Sequence, residues 1–208
     1  MPCASLRKAP ASTTATVLAV ALGIGVNVTV FSLVDSLLLR PLPLRDASRL
    51  VYVWEDASYV GFPRATPAPA NYADWKSRNH VFTGMGALRG QIFAITGDGP
   101  PEQVEGNAVT ADLFPVLGVT PVLGRQILPE EDRPGGARVA LISHKVWEQR
   151  YGGDRDVLGR KILLDRVPYE IVGVMPDGFT FPDRSDVWVP LGLKAPTAAA
   201  TTWWPWED

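Results

Sequence analysis

The hydrophobic and polar positions divide the sequence into one long apolar run near the N-terminus and a longer region of short, mixed patterns. No charged residue occurs between residues 9 and 34, and most positions from 17 to 33 are apolar. A helix that crosses a lipid bilayer needs about 20 predominantly apolar residues. The run therefore predicts a transmembrane helix over residues 15–39, which ends where Pro41 removes a backbone donor and blocks the preceding turn.

Basic residues flank this predicted helix on both sides. Arg7 and Lys8 precede it and favour a cytoplasmic location for residues 1–14, although arginines also follow it and weaken this signal. A basic start followed by an apolar stretch is also the order found in cleaved signal peptides. The uncharged run is longer than the usual signal-peptide core, and no A-x-A cleavage site follows it. An uncleaved helix is favoured, while a cleaved signal peptide and a buried helix of a soluble protein stay open.

Small and polar residues recur at helical spacing within the apolar run. They form two rows, Ala15, Ala19, Gly23 and Asn27 on one and Gly25, Thr29, Ser32 and Ser36 on the other. Small residues let helix backbones approach closely in lipid, and Asn or Ser can hydrogen-bond across the contact, although Gly and Ala are common in any such helix. We predict that these rows pack against other membrane helices. No second apolar run of this length occurs in the sequence, so the partner helices would come from elsewhere.

The rest of the sequence predicts a water-soluble α+β domain over residues 47–193. Runs rich in β-branched and aromatic residues predict strands, because such side chains fit a pleated, half-buried surface. These strands fall at residues 50–54, 92–95, 102–109, 138–142, 160–164, 168–174 and 187–189, with residues 61–69 as a loop. Asn71 and Ser143 are predicted helix caps, residues 111–117 a short helix, and Gly152-Gly153 a helix end. The elements mix without a regular βαβ repeat, which favours α+β over a doubly wound fold.

The final residues, 194–208, differ from the domain before them. They are rich in Ala and Thr and end with three tryptophans that have no evident packing pattern. We interpret this segment as an irregular tail and its end as an unnatural stop.

Composition and charge exclude several classes of protein. Hydrophobic residues make up 46% of the chain and charged residues 20%, which excludes a wholly disordered or collagenous protein. The formal net charge of −2 leaves no large basic surface, so we predict no nucleic-acid partner. The single cysteine, Cys3, excludes an intrachain disulfide.

A search for chemical motifs predicts no catalytic, cofactor-binding or metal-binding residue. Residues 118–125 have one residue too many between their glycines, and Arg where a P-loop needs Lys. His80 and His144 lie in different elements, whereas a zinc site needs three or four ligands. Ser143 and His144 are neighbours in sequence and rarely face each other as nucleophile and base, so a helix-cap role is favoured for Ser143.

Two further groups of residues have structural rather than chemical interpretations. The acidic run at residues 130–132 lacks the alternating ligands of a calcium loop and predicts a solvated loop. Four tryptophans in periodic segments are predicted to lie in the core rather than on a ligand platform, namely Trp54, Trp75, Trp147 and Trp188.

A series of short motifs resembles a known family. They are Leu22-Gly23-Ile24-Gly25-Val26-Asn27 with residues 31–32 and 39–43, Asn71-Tyr72-Ala73-Asp74-Trp75, residues 114–119 with 121 and 123–125, residues 158–160 with 164–165, residues 168–176, and Trp188-Val189-Pro190-Leu191. In this order and spacing they resemble MacB/FtsX-type ABC transporter permeases, and most of all the large duplicated permeases of soil bacteria. The resemblance covers about residues 5 to 192.

The resemblance implies a first membrane helix followed by an incomplete MacB-like periplasmic core domain at the bacterial inner membrane. It implies a non-catalytic role in export and mechanotransmission. The implied partners are membrane lipid, other permease helices or a second permease half, a cytoplasmic ATPase and a periplasmic adaptor. One departure is Arg166, where the family has Gly at a hairpin turn. A type I′ turn needs positive φ at that position, so Arg166 predicts either a loss of roughly 1 kcal/mol in the stability of the fold or a longer loop.

Two other functions remain open from the residues alone. The first alternative is a stand-alone binding module, membrane-anchored or secreted, which predicts a complete domain that needs no further helices. The small-residue rows argue against it, because a solitary anchor does not need them. An enzyme is the other alternative, and it requires a site that the motif search does not find.

Overall fold

The computed structural model describes residues 10–34, 47–97 and 99–193. The chain divides into two compact units, of which the first ends at Leu42 and the second begins at Pro43.

The first unit contains a single described helix, α1, at Pro10–Val34. Among its described side chains, the large apolar ones from Val17 to Val28 and Phe31 are between 56% and 72% exposed. Within the residues that the structure describes, no helix combines the length and the apolar character needed to cross a membrane. The predicted helix over residues 15–39 is present up to Val34, its membrane-spanning character is not shown, and residues 35–39 lie outside the described residues.

The second unit contains nine described strands and three α-helices. The strands are β1 Glu55–Ala57, β2 Phe62–Ala65, β3 Leu88–Thr96, β4 Glu102–Val109, β5 Leu123–Gly124, β6 Val139–Ile142, β7 Lys161–Leu164, β8 Val167–Val174 and β9 Val187–Pro190. The helices are α2 Pro69–Arg78, α3 Leu113–Leu117 and α4 His144–Tyr151. The mixture confirms the α+β class predicted from the sequence.

Seven of these strands form one sheet that returns on itself. Their order is β5-β8-β6-β9-β4-β3-β7, and β7 also pairs with β8. The strand β8 makes this closure possible because its two halves have different partners. Its first half pairs with β7, while its second half pairs with β6 on one edge and with β5 on the other. The pairs β4–β9 and β6–β8 are parallel and the others are antiparallel. The remaining strands, β1 and β2, form a separate hairpin.

The sheet is buried on both faces in its centre. Successive side chains of a strand point to opposite faces, and the core divides accordingly. One cluster contains Ala140 and Ile142 of β6, and the other contains Val139 and Leu141 of the same strand. Trp188 is completely buried in the second cluster. Its ring centroid lies 5.4 Å from that of Phe179 and 6.3 Å from that of Phe114.

The hairpin β7–β8 confirms its predicted strands and turn. Asp165 and Arg166 form the two-residue turn with φ values of 51° and 67°. Both residues are therefore left-handed, as a type I′ turn requires, and Arg166 does not lengthen the loop. Asp165 is held against β3, because its backbone N–H donates to the carbonyl oxygen of Ala94 and its Oδ1 accepts from the Ala94 N–H, both at 2.9 Å.

Strand β4 has the predicted bounds, and the predicted helix α4 is capped as expected. Ser143 Oγ accepts a hydrogen bond from the Val146 N–H at 3.1 Å, and Gly152 ends the helix in the left-handed conformation.

Three predictions about individual elements are wrong. Residues 50–54 are not a strand, and the first described strand, β1, begins only at Glu55. Asn71 is not a cap, because α2 already begins at Pro69, whose missing N–H costs nothing in the first turn of a helix. Residues 61–69 are not a continuous loop, because β2 lies within them and pairs with β1.

Candidate functional site

One concave feature of the described part of the second unit is a cleft beside α3. Its volume is about 440 Å³, and its walls include Pro115, Pro121, Ile127 and Pro129, with Arg125 as a charged residue of the lining. A mostly apolar cleft with a few polar groups is the usual form of a small-ligand or peptide site. Gly124 borders it with a φ of +78°, and a Cβ there would lie 2.2 Å from the Val172 carbonyl oxygen. Only glycine fits this close approach of β5 to β8.

The charged lining residue of the cleft forms a paired contact with the acidic run. Arg125 donates from Nη1 to Glu131 Oε2 at 2.8 Å and from Nη2 to Oε1 at 2.6 Å, and the Leu128 N–H donates to Oε2 at 2.8 Å. Burial opposes ionisation of Glu131, but these hydrogen bonds outweigh it and hold its pKa below the ordinary value. The prediction of a solvated acidic loop is wrong for Glu131, whose side chain is only 8% exposed.

The next acidic residue, Asp132, connects two distant parts of the second unit. Its Oδ2 accepts from the Ala111 N–H at 2.9 Å, and its Oδ1 accepts from the Gly192 N–H at 2.8 Å. The start of the α3 segment and the end of β9 are therefore held together by one carboxylate. Because both oxygens are used on backbone donors, the role of Asp132 is structural.

An ion pair connects α2 to the same region. Lys76 of α2 pairs with Asp112, which lines the cleft. Burial lowers the pKa of Lys76, but the hydrogen bond to Asp112 overcomes this effect and raises the pKa overall. The Tyr72 hydroxyl donates to the Met85 carbonyl oxygen at 3.1 Å. These contacts hold α2 beside the cleft.

The neighbouring residues Ser143 and His144 do not form a nucleophile and base pair. Ser143 Oγ donates to Asp186 Oδ1 at 2.7 Å and accepts from the N–H of Val146, and the residue is 3% exposed. Lys145 Nζ donates to the other Asp186 oxygen at 2.9 Å. Since Ser143 is buried and its hydroxyl is occupied, the cluster fastens α4 to β9.

An exposed apolar segment precedes β1 and continues through β2. Six large hydrophobic side chains between residues 51 and 62 are at least 42% exposed. The rings of Tyr52 and Trp54 stack with centroids 5.5 Å apart, and Tyr52 also lies 6.2 Å from Phe181. Burial, and after it the nearby Asp183 carboxylate, raise the pKa of Tyr52. The prediction that Trp54 lies in the core is wrong, because its side chain belongs to this surface.

The residues predicted to pack between membrane helices all lie on α1. Ala19, Gly23, Gly25, Asn27, Thr29 and Ser32 are exposed there, while the side chain of Ala15 is outside the described residues. A Cβ added to Gly23 or Gly25 would meet nothing within 4 Å. The Thr29 hydroxyl donates to the Gly25 carbonyl oxygen at 2.8 Å, so it is satisfied within the helix. Their packing role stays a prediction.

Metal binding has no support in the described part of the chain. Among residues 10–34, 47–97 and 99–193, no three His, Cys, Asp or Glu side chains come together in a group that could hold a metal ion. The Arg125–Glu131 pair and the Asp132 contacts are the charged features that sequence reasoning missed. Basic and acidic residues six positions apart are common in any sequence, so the spacing of Arg125 and Glu131 does not predict that they pair.

The fold is similar to solved extracytoplasmic domains of ABC-type transporters. The periplasmic region of MacB from Actinobacillus actinomycetemcomitans matches with a TM-score of 0.52 and 13% identity, over 67% of this chain and 63% of that one. The extracellular domain of the noncanonic ABC-type transporter YknZ from Gram-positive bacteria matches with a TM-score of 0.50 and 18% identity, over 58% and 61%. At these identities the likeness concerns the fold alone.

The chain belongs to the MacB-like periplasmic core domain family, whose sequence model matches residues 13–205. The pyoverdine export ATP-binding/permease protein PvdT of Pseudomonas syringae pv. tomato is 36% identical over 64 residues, which are 31% of this chain and 10% of that protein. PvdT of Pseudomonas entomophila is 30% identical over 91 residues, or 44% and 14%. The matches thus cover about a tenth of these curated relatives. The resemblance to MacB-like permeases that the motifs indicated is confirmed.

Proposed function

We propose that this chain provides the extracytoplasmic core domain of the permease of an ABC-type exporter, together with the helix that anchors it. The observation that carries the proposal is the family match over residues 13–205, which includes most of α1 and the whole described second unit. A domain of this family that follows an apolar helix is expected outside the cytoplasm, at the inner membrane of a bacterial cell.

The exposed surface of α1 supports its role as an anchor. Apolar side chains on every side of a helix are unfavourable in water and are normally covered by protein or lipid. The run from residue 9 to 34 carries no charged residue and is longer than the about 20 residues that a spanning helix needs. We propose that lipid covers part of this surface and that other permease helices contact the rows containing Gly23 and Asn27.

The second unit supports a non-catalytic, mechanical role. Its sheet closes through β8, and the Arg125–Glu131 and Lys145–Asp186 pairs hold a loop and the helix α4 in place beside it. A rigid body of this kind is suited to passing movement from membrane helices to a partner. In the proposed exporter, a cytoplasmic ATPase hydrolyses ATP, a second permease half completes the membrane part, and a periplasmic adaptor receives the motion. The PvdT relatives carry ATP-binding and permease functions in their names.

Topology mapping with cysteine tests this proposal. The native Cys3 reports residues 1–14, and Val122→Cys in a Cys3→Ser background reports the second unit, where Val122 is 56% exposed. A membrane-impermeant maleimide applied to spheroplasts should label the residue-122 cysteine, whereas Cys3 should react only after lysis. Labelling of neither cysteine before lysis would contradict an extracytoplasmic domain. Loss of Cys3 from the mature protein would instead indicate a cleaved signal peptide.

A stand-alone binding module is the second candidate, and the cleft beside α3 favours it. Such a module would be complete, so residues 47–193 alone should be monomeric and unfold in one cooperative transition. A severed part of a larger permease should instead aggregate or lose fixed tertiary packing, which near-UV circular dichroism and size-exclusion chromatography would detect.

A further inference from the structure

The segment 194–208 carries a cluster of tryptophans that the proposed function does not use. Trp203 and Trp204 are neighbours, and Trp206 follows after a single proline. These residues lie outside the part of the chain that the structure describes. Tryptophan has a large apolar ring and is highly buried on average in folded proteins. Such a cluster is therefore expected to cover apolar surface, and the place where the described chain ends indicates which surface lies nearest.

The described chain ends beside the wall of the cleft. The Gly192 N–H donates to Asp132 Oδ1 at 2.8 Å. The Ala111 N–H donates to Oδ2 of the same carboxylate at 2.9 Å, and Ala111 belongs to the lining of the cleft. Residue 194 follows Gly192 by only two positions. The segment 194–208 therefore begins next to the cleft, with one carboxylate side chain between the two.

The connection to the tryptophans is long enough to return over the cleft. Trp203 lies about ten residues after Leu193, and ten extended residues span about 33 Å. A cleft of about 440 Å³ is much narrower than this reach. A group held at the end of a short connection has an effective concentration in the millimolar range. Even a weak attraction between an indole ring and the cleft is therefore enough to keep the cleft occupied.

The surface of the cleft favours an aromatic occupant over a charged one. Three prolines and Ile127 contribute to its walls. The charged residues of the lining already have partners, because Asp112 pairs with Lys76 and Arg125 pairs with Glu131. A charged ligand would compete with these pairs, whereas an indole ring covers the prolines and leaves both pairs intact.

We propose that residues 194–208 fold back onto the cleft beside α3 and cover it with their tryptophan side chains. The occupant of the cleft is then a segment of the same chain. This contact does not depend on the proposed export role, since it follows from the position of Gly192, the length of the segment and the apolar lining of the cleft. It differs from the stand-alone binding module, in which the cleft stays open to a separate ligand.

Photocrosslinking in the full chain of residues 1–208 tests the proposal. A benzophenone amino acid replaces Thr120, an exposed residue of the cleft lining. In a parallel strain it replaces Ile92, which is 68% exposed on β3 and does not line the cleft. After illumination of isolated membranes, mass spectrometry of the crosslinked monomer identifies the captured peptide. We expect residue 120 to capture a peptide from residues 194–208, with a yield several times higher than that from residue 92.

Matched substitutions within the segment then test whether the tryptophans make the contact. The first variant replaces the three tryptophans, as Trp203→Ser, Trp204→Ser and Trp206→Ser. The control variant replaces three threonines of the same segment, as Thr197→Ser, Thr201→Ser and Thr202→Ser. With the photocrosslinker at residue 120, the tryptophan variant should lower the capture to the level of residue 92, and the threonine variant should leave it unchanged. The unfolding midpoint of each variant confirms that it is folded.

Several results would overturn the proposal. A crosslink to residues 194–208 that appears only in a dimer would assign the cleft to a second copy of the chain. Capture of lipid or of another protein at residue 120 would assign it to a separate partner. Capture of no peptide from the segment, equal yields at residues 120 and 92, or equal yields in the two variants would also refute it. The maleimide topology test is independent, so its outcome does not change with these results.

Discussion

The contact between Arg125 and Glu131 is predicted to be a main stabilising interaction of the loop beside the cleft. Glu131→Gln changes this contact with almost no change in shape. The amide can keep one oxygen for Arg125 Nη1 and the Leu128 N–H, but its NH₂ group must then face Arg125 Nη2. One charge-assisted hydrogen bond is lost, and two donors are brought together.

The expected loss follows from the number and exposure of these bonds. A hydrogen bond to a charged group contributes about 1.5–3 kcal/mol, but the Arg125 side chain is 44% exposed, so water can replace part of the lost interaction. We expect Glu131→Gln to lower the free energy of unfolding by about 1–2 kcal/mol at pH 7. The neighbouring Glu130→Gln removes the same charge at an exposed position and is expected to change it by less than about 0.5 kcal/mol.

The same carboxylate makes the stability depend on pH. Its folded pKa lies below the ordinary value of 4.5, so the unfolded state binds a proton more readily than the folded state. The stabilisation is complete above the unfolded pKa and is lost as the pH falls through the lower folded pKa. Urea unfolding between pH 7 and the acid range measures this loss, which the Glu131→Gln variant should lack.

Two results would refute this reasoning. If Glu131→Gln and Glu130→Gln had the same free energy of unfolding, the Arg125 contact would contribute nothing beyond net charge. If the variant kept the acid-dependent loss of the wild type in full, another group would be responsible for it.

Four further substitutions test the packing, the helix cap and the turn. Trp188→Ala should cost about 3–5 kcal/mol by emptying a buried site, whereas Trp54→Ala should cost about 1 kcal/mol, and denaturant midpoints compare the two. Ser143→Ala should cost about 1–2 kcal/mol and speed hydrogen exchange at the first amides of α4, and unchanged exchange would argue against the cap. Arg166→Gly should stabilise the protein by about 0.5–1 kcal/mol in thermal unfolding, because it removes a side chain from positive φ, and a lower midpoint would contradict this.

Local signals in the sequence predicted most elements whose causes are local. The residue preferences of β4, the cap at Ser143, the glycine that ends α4 and the two-residue turn of the β7–β8 hairpin depend on neighbours within a few positions. Their physical causes, side-chain alternation, capping and backbone handedness, are therefore visible in a short window of residues. The cap predicted at Asn71 was wrong for a local reason too, because Pro69, two residues earlier, is a stronger signal for the start of a helix.

The candidate site could not be predicted in this way. Glu131 is a buried partner of Arg125 only because the loop folds back over the cleft, and a sequence window shows an acidic run instead. Residues 50–54 have the composition of a strand, yet a strand also needs a neighbour, which no single segment can supply.

The sequence by itself determined the apolar helix, the α+β class and the family, since these depend on composition, periodicity and ordered motifs. The tertiary structure alone decided that the sheet closes through the two halves of β8, that Asp132 joins the α3 segment to the end of β9, and that the aromatic segment before β1 stays exposed. Each of these features depends on contacts between residues far apart in the chain. Such contacts exist only after the chain has folded, because the burial, strand pairing and ionisation of a residue depend on neighbours that are distant in the sequence.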